Sequence, residues 1–134
     1  MCVFCKIAKG EIPSYKVYED DKFLAFLDLS QTTKGHTLLI PKNHFENFLE
    51  LDDFSCNNIL AIAKKVAIKI KNATNAKGFN ILNNCGELAG QTVMHFHIHI
   101  IPRYDNDDFS ISFSNNQLSN EEFQNLANLI NNQK

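Results

Sequence analysis

The sequence predicts an α+β fold, an antiparallel meander of strands with helices to one side. Three observations carry that prediction. Short alternating or continuous apolar stretches fall at 15–19, 23–27, 36–40, 79–83 and 93–101, bounded by Pro, Gly, Asp or Asn as strands are. One long stretch opening at Leu51-Asp52-Asp53 instead repeats its apolar residues every three or four positions, as a helix does. The element order is helix, hairpin, strand, long helix, strands, helix, with no internal repeat. At 134 residues and 44% hydrophobic, the chain can build one core, so 1–134 is expected to be one domain.

Val3, Phe4, Ile7 and Ala8 lie at helical spacing and predict one or two turns within Met1–Lys9, stopped at Gly10. Tyr15–Glu19 alternates, Asp20-Asp21 turns the chain, and Phe23–Leu27 returns it, which makes a hairpin. Ser30–Gly35 is polar loop. His36–Ile40 reads as a buried strand closed by Pro41, which has no N–H for a ladder. The long helix carries Ile59, Ile62, Ala63, Val66, Ile70 and Ala73 on one stripe, with lysines gathered towards its C-terminal end, where the dipole favours them. Phe79–Asn83 is a further strand and Cys85–Gly90 a glycine-flanked loop. Val93–Ile101 is the last strand, again closed by a proline. Tyr104–Gln117 is rich in Asp, Asn and Ser. Ser119-x-x-Glu122 then forms a capping box ahead of Phe123, Leu126, Ala127 and Ile130, an amphipathic closing helix.

Composition excludes some classes of function. Net charge is -2 and the sequence pI is about 6.2. With no basic stripe, a nucleic-acid partner is not expected. No apolar run approaches the roughly 18 residues of a membrane span. The opening Met1-Cys2-Val3-Phe4-Cys5 has no charged n-region followed by an apolar one, so no signal peptide is expected. The cysteines at 2, 5, 56 and 85 then read as free thiols or metal ligands of a cytoplasmic protein.

Residues 95–101 read HFHIHII, and these hold three of the chain's five histidines. On a strand, His95, His97 and His99 share one face, while Phe96, Ile98 and Ile100 point to the other. Alternate residues lie about 6.5–7 Å apart, so neighbouring imidazoles can bracket one small ligand. Three uses fit: an exposed polar face, a metal site of imidazoles, or nucleophilic attack by a neutral imidazole on phosphorus. The strand alone does not choose among them.

Its context resembles the histidine triad (HIT) superfamily. The matching blocks are Phe4-Cys5-Lys6-Ile7 with Ile12-Pro13, Phe26-Leu27-Asp28, Gly35-His36-Thr37-Leu38-Leu39-Ile40-Pro41-Lys42, Gly90-Gln91-Thr92-Val93 and the histidine strand itself. They occur in the family's order across roughly residues 2–103. The resemblance implies a HIT-like fold, a five-stranded antiparallel sheet with a long helix and short terminal helices. Residues 1–104 would be the family core, and 105–134 a variable loop and C-terminal helix. It also implies a homodimer joined through the long helix and a strand.

The implied activity is hydrolysis or transfer at the α-phosphate of purine nucleotides through a covalent nucleotidyl-histidine. His97 would be the nucleophile, His99 would contact the α-phosphate and help the leaving group, and His36 would complete the polar network. Asp28 matches the carboxylate that binds the ribose hydroxyls. Asn84, Gln91 and Thr92 match positions that hydrogen-bond the phosphate or leaving group, with Gly86 and Gly90 flanking that loop. Phe4, Ile7, Ile12, Phe26, Leu27 and Leu29 are the candidates for an apolar slot around the base, although each also reads as plain core.

Cys2-x-x-Cys5 with His44 and His95 matches a structural Zn²⁺ set of the family, a closed Cys₂His₂ site; two reduced, packed thiols are the alternative. Cys56 and Cys85 read as structural. Two substrate branches compete, nucleoside phosphoramidates with AMP esters and diadenosine polyphosphates. A nucleotide-binding interaction protein with little turnover, or a metal hydrolase using the three imidazoles, are the rivals from other classes.

Overall fold

The computed structural model describes residues 2–134; Met1, included in the expected first helix, lies outside them. Five strands form one antiparallel sheet in the order β1-β2-β3-β5-β4: β1 Lys16–Glu19, β2 Phe23–Leu27, β3 Thr37–Pro41, β4 Gly78–Leu82 and β5 Ile98–Arg103. Helix α1 spans Val3–Ala8, α2 Asp53–Thr74 and α3 Asn120–Asn131. The expected α+β fold, a five-stranded antiparallel sheet with a long helix and short terminal helices, is therefore the observed one.

The sheet is apolar on both faces, because β2 and β3 are almost continuously apolar and buried. On one face Phe23, Ala25, Leu39, Ile98 and Ile100 pack beneath Ile59, Ile62, Ala63, Val66 and Ile70 of α2. On the other, Leu24, Phe26, Leu38 and Ile40 pack against Phe4 and Ile7 of α1. The helices therefore do not lie to one side as expected. With no polar face to leave to water, the second surface needs its own cover, and α1 supplies part of it. Helix α2 begins where the Asp52 carboxylate accepts the Ser55 N–H at 3.0 Å and ends where Asn75 turns left-handed at φ 61°.

The last strand also departs from expectation. It starts at Ile98 rather than Val93 and runs through Pro102 to Arg103. Upstream of Ile98 the ladder partners have ended: β3 pairs only as far as Leu39↔Ile98, and β4 as far as Leu82↔His99. The backbone there finds other partners, with the Phe96 N–H bonding the Phe45 carbonyl at 2.7 Å. Pro102 is tolerated because its missing N–H faces past the start of β3, where the Thr33 hydroxyl donates to the Pro102 carbonyl at 2.5 Å. Pro41 sits likewise within β3, at a point that β5 does not reach.

The C-terminal helix does not close on the core. Its capping box forms, with Ser119 and Glu122 exchanging hydrogen bonds. However, Phe123, Leu126, Ala127 and Ile130 remain exposed, as does every residue from 110 to 134. Among the described residues, no helix is long and apolar enough to cross a membrane.

Candidate functional site

The site lies on the α1 face of the sheet, where the segment leading into β5 meets the start of β3 and the end of β2. His97 and His99 stand with ring centroids 5.0 Å apart, and His36 lies 5.2 Å from His99. Phe4 of α1 packs edge-on against His97 at 5.1 Å. His36, His95 and His97 are buried. Burial holds all four rings (His36, His95, His97 and His99) below the usual imidazole range. His99 falls furthest, to about 4, because His97 and His36 also crowd it. At neutral pH these rings are therefore uncharged, and each carries one proton whose position its neighbours fix.

Those positions follow from the hydrogen bonds. His97 Nδ1 lies 2.8 Å from the His95 carbonyl. A carbonyl only accepts, so Nδ1 holds the proton and Nε2 carries a free lone pair. The Thr32 N–H donates to His36 Nδ1 at 3.2 Å, which leaves the His36 proton on Nε2. That nitrogen lies 2.9 Å from His99 Nδ1, so His36 donates to His99 and the His99 proton sits on Nε2. The pair thus offers a nucleophilic nitrogen on His97 and an N–H donor on His99.

Asp28, His36 and His99 also come close enough together to suggest an ion site. The tautomer argues against it, since His36 Nε2 is protonated and has no lone pair to give. Asp28 instead accepts the Ser30 N–H at 2.8 Å and sets its second oxygen 3.6 Å from His36 Nε2.

Beside Asp28 opens a cavity of about 250 Å³. Phe4, Ile7, Ile12, Phe26, Leu27 and Leu29, the apolar residues singled out from the sequence, all line it. Leu29 does so as a rim residue, 84% exposed. Sequence reasoning missed Tyr15 and Leu38, which also line the cavity; Tyr15 belongs to no motif, Leu38 reads within its block as plain core, and only the folded sheet brings the two there.

The loop between β4 and β5 borders the histidines from the other side. Gly86 and Gly90 adopt φ 92° and 99°, enclosing a turn of 3-10 helix at Glu87–Ala89. Asn84 lies against Gly90 and Thr92 is exposed. Gln91 is buried with its amide fully engaged. It accepts the Gly86 N–H at 2.8 Å and donates to the Glu46 and Val93 carbonyls at 2.7 and 3.0 Å. It organises the loop instead of facing a ligand. Asn83, unremarked in the sequence, donates to the His97 carbonyl at 2.9 Å. A polar residue ending a strand beside the histidines was the available signal. Cys56 is exposed on α2 and not packed, contrary to its structural reading.

Cys2, Cys5, His44 and His95 converge at the N-terminus of α1. The two sulfurs are 3.1 Å apart, sulfur-to-Nδ1 distances run from 3.3 to 3.5 Å, and the two Nδ1 atoms are 3.2 Å apart. Tetrahedral bonds of about 2.3 Å to sulfur and 2.0–2.1 Å to nitrogen set ligand atoms roughly 3.3–3.8 Å apart. The four atoms thus sit slightly inside the edges of a zinc tetrahedron. The donor chemistry agrees: His95 Nε2 lies 2.8 Å from the Pro41 carbonyl and must donate, so its Nδ1 lone pair faces the thiols. The residues fit a zinc ion.

This sheet, with imidazoles grouped at the mouth of an apolar cavity, defines a HIT-type protein. The family model for the HIT domain matches residues 9–106, and the chain belongs to the HIT domain family. The crystal structure of a HIT family member from Bacillus subtilis is 47% identical and superposes with a TM-score of 0.91 over 97% of this chain and 94% of that one. Adenosine 5'-monophosphoramidase hnt1 of Schizosaccharomyces pombe is 46% identical over 110 residues, 82% of this chain and 79% of that protein. A zinc-bound histidine triad family protein from Mycobacterium smegmatis is 34% identical, with a TM-score of 0.76 over 98% of this chain and 97% of that one.

Proposed function

We propose that the protein is a nucleotide hydrolase acting at the α-phosphate of purine nucleotides, taking nucleoside phosphoramidates or AMP esters through a nucleotidyl group on His97. The observation that carries this reading is the pinned tautomer of His97, whose Nδ1–H is held by the His95 carbonyl at 2.8 Å so that Nε2 is free to attack. The Schizosaccharomyces pombe monophosphoramidase, at 46% identity, favours the phosphoramidate branch.

In this mechanism His97 Nε2 attacks phosphorus and the bond to the leaving nitrogen or oxygen breaks. His99 Nε2–H donates a hydrogen bond to the leaving atom, which departs protonated by solvent. Water then attacks the phosphorus and releases its proton to solvent, and AMP departs as His97 is regenerated. His36 keeps His99 in the donor tautomer. Asp28 binds the ribose, the cavity lined by Phe4, Ile7, Ile12, Leu27 and Leu29 holds the base, and Asn84, Gly90 and Thr92 flank the phosphates on a loop that Gln91 shapes. Apolar contacts discriminate bases weakly, which gives purine preference without strict identity.

Cys2, Cys5, His44 and His95 would hold a structural Zn²⁺, a reading supported by their tetrahedral spacing and by the zinc-bound mycobacterial relative. It would supply a cross-link between α1 and the segment leading into β5, outside the chemical step. The working form is a homodimer in the cytoplasm, where the four thiols stay reduced. The test is brief incubation with adenosine phosphoramidate or diadenosine tetraphosphate, read by intact mass and product release. AMP release with a transient single-AMP adduct, lost in His97→Asn, is expected. Tight AMP binding without turnover or adduct on either compound would refute the proposal.

A further inference from the structure

The C-terminal arm leaves an amphipathic helix exposed. Residues 110–134 are exposed throughout, yet they include a helix with a complete capping box and an apolar stripe of Phe123, Leu126 and Ile130. A lone helix of this length is marginal in water, so the stripe needs a partner surface. The arm is not loosely hung at its root. Arg103 grips Asp107 through two nitrogens at 2.9 Å, bonds Asn80 at 2.7 Å, and lies over the Phe109 ring. The match to the Bacillus subtilis structure takes in 97% of this chain, too much to omit α3 altogether.

The same edge of the molecule carries a second unpartnered surface. β4 is one of the two edge strands, and beside it a groove of about 440 Å³ is lined by Leu60, Ala61, Ala67, Phe79 and Ile81. Along α2, Lys64, Lys65, Lys69 and Lys71 are exposed. The arm is oppositely charged: Asp105 and Asp107 pair with Lys77 and Arg103 of the body, and Asp108, Glu121 and Glu122 remain against Lys134. It departs from Arg103, whose ladder partner Gly78 begins β4. If two copies pair antiparallel along β4, the Gly78 end of one meets the Leu82 end of the other, and each arm runs onto the other body. Beyond that root, the segment 110–119 can span roughly 33 Å when extended.

We propose that α3 docks its apolar stripe against the lysine-bearing α2 of a second copy, so that two chains clasp each other by their arms. This rests on the homodimer reading and names what secures it. Equal amounts of ¹⁴N- and ¹⁵N-labelled full-length protein are co-refolded and treated with a carbodiimide, which joins carboxylates to amines without a spacer. The expected result is Glu121 or Glu122 linked to an α2 lysine, with about half of those peptides of mixed isotope, as random pairing of two identical chains requires. Only single-isotope links would mean that the helix folds back on its own body, and no such links that it docks on nothing; either overturns the proposal. Sedimentation of the same sample keeps the two readings apart, because a dimer without these links refutes the clasp alone, and a monomer refutes both. Leu126→Asp with Ile130→Asp removes the links while AMP binding persists.

Discussion

Acid should unfold this protein partly through His99, and the size of the effect can be worked out. Its folded pKa is pushed down to about 4 from 6.5. Between those values the unfolded chain binds the proton and the folded one does not, so stability rises with pH across the window and is lost as pH falls through it. For one such group the loss from pH 7 to pH 5 is about 2 kcal/mol, reaching about 3 kcal/mol near pH 4. The ring is partly exposed, so these are upper figures. Urea unfolding at pH 7, 6 and 5, on wild type and on His99→Gln, isolates the contribution, since the other titrating groups largely cancel in the difference. The wild type should lose up to about 2 kcal/mol more than the variant between pH 7 and 5. A difference that stays flat with pH would mean that His99 titrates normally, and the argument for a neutral, tautomer-fixed network would fall with it.

Other sites give sharper functional readouts. Asn83→Ala removes the donor on the His97 carbonyl; it should cost about 1 kcal/mol of stability and lower kcat more than it raises KM, as rapid-quench kinetics would reveal. Gly35→Ala places a Cβ 3.2 Å from the Pro102 ring at φ +102°. The strain should cost about 1–3 kcal/mol in urea unfolding and disturb His36, the next residue. Cys5→Ser should abolish tight zinc binding, read by metal analysis after dialysis, and lower Tm, while a chelator added during the single-turnover assay should leave the chemical step of loaded protein unchanged.

Much of the fold was legible because its signals are local. The α2 stripe, the hairpin turn at Asp20-Asp21 and the Ser119–Glu122 box each reside in a few consecutive residues. What escaped was tertiary. Nothing in the Val93–Ile101 pattern says that β3 and β4 stop short of Val93, so an unbroken alternation overstated the strand. The two apolar faces of β2 were visible in Phe23–Leu27, but which helix covers which face depends on chain paths that periodicity does not encode. The capping box correctly located α3, whereas the exposure of its apolar stripe in the folded chain lies beyond a sequence pattern. Gln91 has the polarity of a ligand contact and serves the loop, and only its buried amide bonds reveal that.

The shortened strand also accounts for how the nucleophile is prepared. If the ladder ran from Val93, the carbonyls of Pro41 and His95 would face strand neighbours and be spent on backbone N–H groups. Because β5 begins at Ile98, both are free to take imidazole protons, Pro41 from His95 Nε2 and His95 from His97 Nδ1, each at 2.8 Å. The first bond turns the His95 lone pair towards the two thiols, and the second turns that of His97 towards the cavity mouth. Pro41 suits its place because β5 is absent there and no partner lacks an N–H. The Asn83 amide, bonding the His97 carbonyl at 2.9 Å, replaces the ladder on the opposite side. Extending the ladder back as far as His95 would therefore cost the site its protonation pattern, so the break in regular structure is what directs the His97 lone pair.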